Sequence, residues 1–170
     1  MTSRAATLDT DRGVVKQFHA EMDEPLLEAV LGYWQGLCGT REMPRRQDID
    51  PVALPRPSLP HLFLMRIDCH CFRYSLVGTA IELQFGMSIA GQVLQDVLFG
   101  SEEDSIFSQY QETVETHRPT YCQHDFIDTR RLPLQFRRLL LPLSSDGATV
   151  TDLFGVCVFR PQSGGRFRRW

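Results

Sequence analysis

The chain has 170 residues, with 18 Lys and Arg against 21 Asp and Glu, so its formal net charge is −3. A chain of this length folds around one core and buries roughly 70% of the surface that the unfolded chain exposes. Because nucleic acids and anionic lipids are bound by clustered basic charge, the slightly acidic balance leads us to expect neither as a partner.

The sequence also bears on the compartment. No stretch approaches the roughly 20 apolar residues that span a membrane, and the N-terminus lacks the apolar run of a secretory signal. The five cysteines are an odd number without a framework-like spacing, which is typical of reduced thiols rather than of disulfides. We therefore expect a cytoplasmic protein without a membrane partner.

The N-terminal part combines a polar arm with an amphipathic helix. Residues 1–22 carry little periodic apolar pattern, which predicts a flexible arm. An aspartate cap at Asp23 and a proline in the first turn at Pro25 predict a helix over residues 25–38. Its apolar side chains recur at helical spacing and form one stripe, which consists of Leu26, Leu27, Val30, Leu31, Trp34 and Leu37.

The middle of the chain is a proline-rich crossing that leads into two strands. Prolines recur through residues 40–60, where they remove amide donors and hold the chain extended. Alternating apolar residues then predict strands over residues 61–68 and 72–78, joined by a tight turn. The residues of the second strand that we expect to face inward are Phe72, Tyr74 and Leu76.

The second half returns to helices and then to strands. The elements predicted from its periodicity are helices over residues 79–85 and 103–117 and strands over residues 120–127, 135–143 and 149–159. Ser101 and Asp104 resemble a capping box at the start of the longer helix. A basic tail, residues 161–170, follows the last strand. We assign residues 23–160 to one domain.

This order of elements resembles the PAS sensor fold, and in particular a bacterial single-module PAS-like family best known from alphaproteobacteria. The sequence segments that carry the resemblance are Tyr33-Trp34, Met43-Pro44, Asp48-Ile49-Asp50-Pro51, Leu59-Pro60-His61, Tyr74-Ser75-Leu76-Val77-Gly78-Thr79 and Leu139-Leu140-Leu141-Pro142-Leu143-Ser144. The resemblance implies an α+β fold, in which a five-stranded antiparallel sheet carries helices on one face, with an additional N-terminal flanking helix. It also implies signalling rather than catalysis.

A PAS cup would gather a set of aromatic and aliphatic side chains in its interior. The candidate lining residues are Phe63, Tyr74, Leu76, Ile81, Phe85, Phe107 and Tyr110. They either fill the interior as a core or line a pocket for a small apolar or aromatic ligand. Tyr74 and Tyr110 are of particular interest, because a buried phenol requires a hydrogen-bond partner that a ligand can provide.

Several polar residues suggest metal or nucleophile chemistry, but their spacing argues against it. Cys69-His70-Cys71 would point to opposite faces of an extended chain, so the three side chains do not converge on one ion. A wider site with His117, Cys122 and His124 would place ligands on strands about 14 Å apart in a PAS sheet. Cys122 and His124 are also too far apart, at about 7 Å along one strand, for a thiol and its base.

Haem and flavin are the cofactors that PAS modules suggest, and we expect neither. Some PAS modules hold haem through a histidine on their long helix, but His117 follows the apolar stripe of that helix rather than lying within it. The light-sensing flavin type carries an asparagine-cysteine-arginine motif after the short helices, and this chain has none there. The sequence therefore leaves the cofactor unknown, and we expect no metal site.

These patterns lead to three hypotheses about function. The first is a non-enzymatic sensory or regulatory module that acts through protein–protein interaction, with a homodimer as one form of that interaction and gating by the small ligand as one means of control. The helical stripe of Leu27, Leu31 and Trp34 is expected either in such a dimer interface or against the outer face of the sheet of its own chain. The second hypothesis is a constitutive interaction or ligand-carrier module without switching. The third is a small cone-shaped enzyme that uses the cup as its active site.

Overall fold

The structure of the protein is a computed structural model. It describes the backbone of residues 8–9, 14–16, 22–97, 103–127 and 133–161, and the side chains of residues 22–97, 106–124 and 134–161. Ser101 of the predicted capping box and the basic tail beyond Pro161 lie outside the described residues.

A mixed seven-stranded sheet forms the centre of the molecule. In chain order its strands are β1 (Leu8–Asp9), β2 (Val14–Lys16), β3 (Leu62–Asp68), β4 (Cys71–Val77), β5 (Thr120–Ile127), β6 (Pro133–Leu143) and β7 (Asp152–Pro161). The last five pair antiparallel in the spatial order β5-β6-β7-β3-β4, which confirms the predicted five-stranded antiparallel sheet.

The two N-terminal strands extend this sheet at its β5 edge. β1 pairs antiparallel with β2, and β2 pairs parallel with the first two residues of β5, Thr120 and Tyr121. The sequence pattern predicted a flexible arm over residues 1–22 and did not indicate these strands. Strands of two and three residues are too short to show an alternating pattern.

The helices lie before and between the strands. They are α1 (Pro25–Cys38), α2 (Thr79–Phe85), α3 (Leu94–Val97) and α4 (Glu103–Thr116), with short 3-10 helices at Arg46–Asp48 and Arg56–His61. Gly86, in the left-handed conformation at φ 69°, ends α2. After α4 the chain turns at His117, where φ is 57°.

Two adjacent arginines on β6 show that α1 and α4 cover opposite faces of the sheet. Successive side chains of a strand point to opposite faces. Arg137 donates to the carbonyl oxygen of Asp23, which lies just before α1, whereas Arg138 hydrogen-bonds to Gln109 on α4. The sheet is therefore sandwiched between the N-terminal helix on one side and a cup closed by α4 on the other.

The apolar stripe of α1 packs against the sheet of its own chain. Leu27, Leu31 and Trp34 are buried, and the helix contacts β6 and β7. The indole N–H of Trp34 donates to the carbonyl oxygen of Pro142 at 3.0 Å. Of the two positions expected for these side chains, the structure shows packing against the outer face of the sheet, and their assignment to a dimer interface is not supported. An amphipathic stripe requires a covering surface, but its sequence does not distinguish a second copy from its own sheet.

The start of α1 is fixed by a buried carboxylate rather than by an aspartate cap. The N-cap position is Glu24, one residue after Asp23, and its side chain makes no capping hydrogen bond. Glu24 is buried and accepts hydrogen bonds from Arg160, at 2.6 and 3.0 Å. The bonds from Arg160 lower the pKa of this carboxyl despite its burial. An ion pair therefore joins the beginning of α1 to the end of β7.

A β-bulge in the β3–β4 hairpin changes which side chains of β4 face inward. Leu64 pairs with Leu76 but Met65 pairs with Tyr74, so Ser75 is an extra residue on β4. One extra residue reverses the alternation of faces beyond it. Phe72 and Tyr74 are buried as predicted, whereas Leu76 is 49% exposed. The prediction that Leu76 faces inward is therefore wrong.

Candidate ligand-binding site

The inner face of the cup is lined by aromatic rings from several elements. The ring centroid of Phe72 lies 5.6 Å from that of Phe107 and 5.3 Å from that of Tyr110. Phe63 meets Tyr74 edge-on, with centroids 5.8 Å apart. The ring of Phe63 lies against Gly155 of β7, where a Cβ would overlap it. Edge-to-face and tilted contacts of this kind are the favourable arrangements for aromatic pairs.

The structure brings most of the predicted lining residues to the core but not all of them. Phe63, Tyr74, Ile81 and Tyr110 are buried, and Phe107 is half-buried against them. Leu76 lies outside because of the bulge. Phe85 is 40% exposed, because it is the last residue of α2, where the chain turns away at Gly86.

A charged side chain, Arg138, lies among these rings. It is only 4% exposed, and its guanidinium carbon lies 4.6 Å from the ring centroid of Tyr110 and 4.9 Å from that of Phe136. Its Nε–H donates to Oε1 of Gln109 at 2.8 Å, and a terminal nitrogen lies 3.5 Å from the carbonyl oxygen of Ile106. The cation is thus held by cation–π contacts and one strong hydrogen bond.

Gln109 of α4 orients the guanidinium and is itself fully engaged. Its Oε1 accepts from Arg138 and from the thiol of Cys122 at 2.9 Å. Its Nε2 donates to the carbonyl oxygen of Thr120 at 3.1 Å and, more weakly, to that of Arg138 at 3.4 Å. Because both ends of the amide have partners, its oxygen is held towards the guanidinium.

Arg138 forms no ion pair with any carboxylate among the described side chains, whose ion pairs join other residues. Burial acts to lower its pKa, the neighbouring Tyr110 and Cys122 act to raise it, and the net shift is upward. The guanidinium is therefore charged at neutral pH. Burying an unpaired charge costs several kcal/mol even after the surroundings relax.

Two phenols complete this cluster. Burial is the largest influence on Tyr74 and Tyr110, and it raises the pKa of each above the ordinary value for a tyrosine. The charge of Arg138 acts on both groups in the opposite direction, but the net shift of each is upward. Both hydroxyls are therefore protonated near neutral pH. We call Tyr74, Gln109, Tyr110 and Arg138 the polar cluster of the cup.

The cysteines of the cup are not set up as nucleophiles. Burial raises the pKa of Cys122 and raises that of Cys157 further. The thiol of Cys122 donates a hydrogen bond to Oε1 of Gln109. A thiol in this state carries little thiolate, which is the reactive form. The geometry gives no support to the thiol–histidine pair considered from the sequence.

The remaining metal-friendly residues are dispersed. Cys69, His70 and Cys71 are exposed at the β3–β4 turn, where Cys69 and His70 adopt positive φ angles of 46° and 67°. The strand order places β3 three positions from β5, so the turn is remote from Cys122. Among the side chains that the structure describes, no three His, Cys, Asp or Glu residues form a group able to hold a metal ion.

Sequence reasoning missed Arg138 and Gln109, although one signal for the first was present. Arg137 and Arg138 are consecutive in a predicted strand that is covered on both faces, so one of the two must point into the cup. Gln109 gave no such signal, because a polar residue beside the apolar stripe of a helix is usually exposed.

The sequence and the fold together identify the class of protein. A five-stranded antiparallel sheet closed on one face by helices is an α+β cup of the PAS type. A family model described as PAS domain matches residues 22–158, and the chain therefore belongs to the PAS domain family. No curated protein sequence matches the chain.

Solved structures of light-oxygen-voltage (LOV) proteins share the fold. The LOV protein of Rhodobacter sphaeroides has a TM-score of 0.51 at 14% identity, covering 63% of this chain and 62% of that chain. The d2 variant of RsLOV also has a TM-score of 0.51 at 14% identity, covering 85% and 72%. A light-oxygen-voltage domain studied with a flavin analogue has a TM-score of 0.50 at 11% identity, covering 63% and 82%. At such identities the likeness shows the fold alone.

Within the described part of the chain, no helix is long and apolar enough to cross a membrane.

Proposed function

We propose that the protein is a non-enzymatic regulatory module that senses a small molecule in its cup and transmits the signal by binding another protein. The observation that carries the proposal is the polar cluster in the interior. A core that served stability alone would be apolar at these positions, whereas ligand sites combine apolar walls with a few convergent polar groups. The ligand that fits the rings of Phe72 and Phe107 has an apolar or aromatic body.

A surface around α2 supports the protein-binding part of the proposal. Leu83 is 82% exposed, and Leu76, Phe85 and Met87, on α2 and the residues that flank it, are each about half exposed. Several large apolar side chains exposed along one segment are typical of an interaction surface. We propose that this α2 surface binds a partner protein, and that a second copy in a homodimer is one such partner.

We place this activity in the cytoplasm. The cysteines Cys38, Cys69, Cys71, Cys122 and Cys157 are all free in the structure. Free thiols persist in reducing compartments, whereas secreted proteins tend to pair them.

Native mass spectrometry of the freshly purified chain tests the proposal, because it reports bound mass and oligomeric state together. We expect a small molecule that is released on denaturation. Hydrogen exchange with and without that molecule should then differ both in α4 and in the α2 surface, since a ligand transmits a signal only through a difference between two states. Unchanged exchange at the α2 surface would contradict the sensory function.

One observation favours a second function, a constitutive interaction module without a ligand. The aromatic contacts around Phe72 are close enough to form an ordinary packed core. This alternative predicts that the purified chain carries no bound mass, and that partner binding is insensitive to small molecules.

A further inference from the structure

We propose that the ligand of the cup carries a carboxylate, and that Arg138 binds it. This inference rests on the proposed function of the cup as a ligand site and adds the chemical class of the ligand. The starting point is that Arg138 is almost completely buried and has no carboxylate partner among the described side chains. A buried cation of this kind is stabilised most effectively by an anion that enters the same site.

The hydrogen bonds of Arg138 leave the right donors for this anion. Nε is engaged by Gln109 at 2.8 Å, whereas a terminal nitrogen reaches only the carbonyl oxygen of Ile106 at 3.5 Å, the limit for a hydrogen bond. Within the described residues, the terminal nitrogens therefore have no hydrogen bond to an oxygen atom shorter than 3.5 Å. A carboxylate accepts two parallel bonds from a guanidinium, which is the strongest and most specific pairing available to an arginine.

The surroundings of the guanidinium hold it in place and select the body of the ligand. The rings of Tyr110 and Phe136 lie within 5 Å of its central carbon, at 4.6 and 4.9 Å, and restrict the plane in which it can lie. Gln109 fixes its Nε edge. A positioned cation among aromatic rings favours a ligand that has a carboxylate at one end and an apolar or aromatic group at the other.

A carboxylate bound to Arg138 would change contacts made by α4. Ile106 lies in the first turn of α4 that has described side chains, and its carbonyl oxygen is the weak acceptor that a carboxylate would replace. Gln109 and Tyr110, one turn further on, contact the same guanidinium. Occupation of the site would therefore change the contacts between α4 and β6, which gives the ligand a means of altering the outer surface.

Isothermal titration calorimetry on the full chain tests the proposal with defined probes. The carboxylates are acetate, benzoate, phenylacetate and cyclohexanecarboxylate, and the neutral counterpart of each apolar carboxylate is its primary amide. We expect at least one carboxylate with an apolar body to bind, and its amide to bind at least about tenfold more weakly, because the amide lacks the charge-assisted pair. This comparison uses the unaltered protein and does not depend on the folding of any variant.

Two variants then locate the site. Arg138→Met should abolish the preference for carboxylate over amide, and Arg138→Lys should retain only part of it, because a lysine lacks the planar pair of donors. Arg137→Met is the matched control. It removes the adjacent arginine on the opposite face and should leave the preference intact. The proposal is overturned if no carboxylate binds the unaltered chain at millimolar concentration, if the amide of the carboxylate that binds does so equally well, or if Arg138→Met retains the preference.

Different experimental results would contradict the carboxylate assignment and the proposed sensory function. If neutral aromatic molecules bind the cup and change exchange at the α2 surface while carboxylates do not, the sensory function stands and the carboxylate assignment is wrong. If a carboxylate binds through Arg138 but the α2 surface does not respond, the assignment stands and the sensory function is wrong.

Discussion

Arg138 on β6 and Gln109 on α4 are joined by a 2.8 Å hydrogen bond in the interior of the cup, so a helix and a strand meet through a buried cation. The same glutamine oxygen accepts a hydrogen bond from the thiol of Cys122 on β5. Three elements therefore share one amide oxygen, and the position of α4 over the sheet depends on a polar contact in surroundings that are otherwise aromatic.

Replacing Arg138 with methionine should stabilise the ligand-free protein. Replacement of buried charges by apolar residues of similar volume often raises the free energy of unfolding, by about 1–4 kcal/mol. Gln109 would keep the thiol of Cys122 as a donor. Urea unfolding at pH 7 measures the change. A loss of stability comparable to that of a large core truncation would show that Arg138 has a compensating anion within the protein, contrary to the carboxylate proposal.

Replacing Phe72 with alanine should destabilise the protein strongly. Phe72 is buried and contacts the rings of Phe107 and Tyr110, so truncation leaves a cavity and should cost about 3–5 kcal/mol. Phe85→Ala is the control, because Phe85 is substantially exposed and its truncation should cost much less. Equal losses in denaturant unfolding would contradict the assignment of Phe72 to the interior.

Adding a methyl group at Gly155 should destabilise the protein through Phe63. The new Cβ would overlap the Phe63 ring, and overpacking of this kind costs about 1–3 kcal/mol. Phe63→Leu removes part of the obstructing ring, so the loss caused by Gly155→Ala should be smaller in that background. A double-mutant cycle measures the coupling between the two positions. Additive effects would mean that the ring does not lie against Gly155.

The ion pair at the start of α1 should make stability depend on pH. The folded-state pKa of Glu24 lies below its usual value of 4.5, chiefly because of the hydrogen bonds from Arg160. The stability that it contributes is therefore present above about pH 4.5 and is lost as the pH falls through the folded-state pKa. Glu24→Gln should be less stable at pH 7 and lose less on acidification. Glu28→Gln, on the exposed face of α1, is the control. Parallel pH profiles for the unaltered chain and Glu24→Gln would contradict the ion pair.

Association should depend on the α2 surface and not on α1. Leu31→Glu places a carboxylate in the packed interface between α1 and the sheet, so it should lower the melting temperature. Leu83→Glu changes an exposed side chain, so it should leave the melting temperature unchanged and weaken any dimer. Sedimentation velocity and thermal unfolding of both variants separate the two effects. A dimer that survives Leu83→Glu would rule out the α2 surface as its interface.

Periodicity and the family resemblance were sufficient to predict the sheet and the main helices, because long segments with one covered face carry a clear apolar pattern. The orientation of Leu76 was not predictable in this way, since the bulge at Ser75 is a property of the strand pairing and not of β4 alone. The surface against which Trp34 packs could not be predicted either, because its hydrogen bond to Pro142 joins residues far apart in the chain. The consecutive arginines Arg137 and Arg138 were sufficient to predict that one of them faces the cup, but the contact of Arg138 with Gln109 could be found only in the structure.

The two edges of the five-stranded sheet limit how another chain can join it. At the β4 edge, Tyr74 donates its amide to the carbonyl oxygen of Gln92 and accepts from the amide of Gly91, at 2.9 and 2.8 Å. At the other edge, β2 occupies the beginning of β5. Strand addition by a partner is therefore hindered at the middle of β4 and at the beginning of β5, where the backbone groups are already bonded. Partial cover of this kind also reduces the tendency of a sheet to extend from molecule to molecule into aggregates.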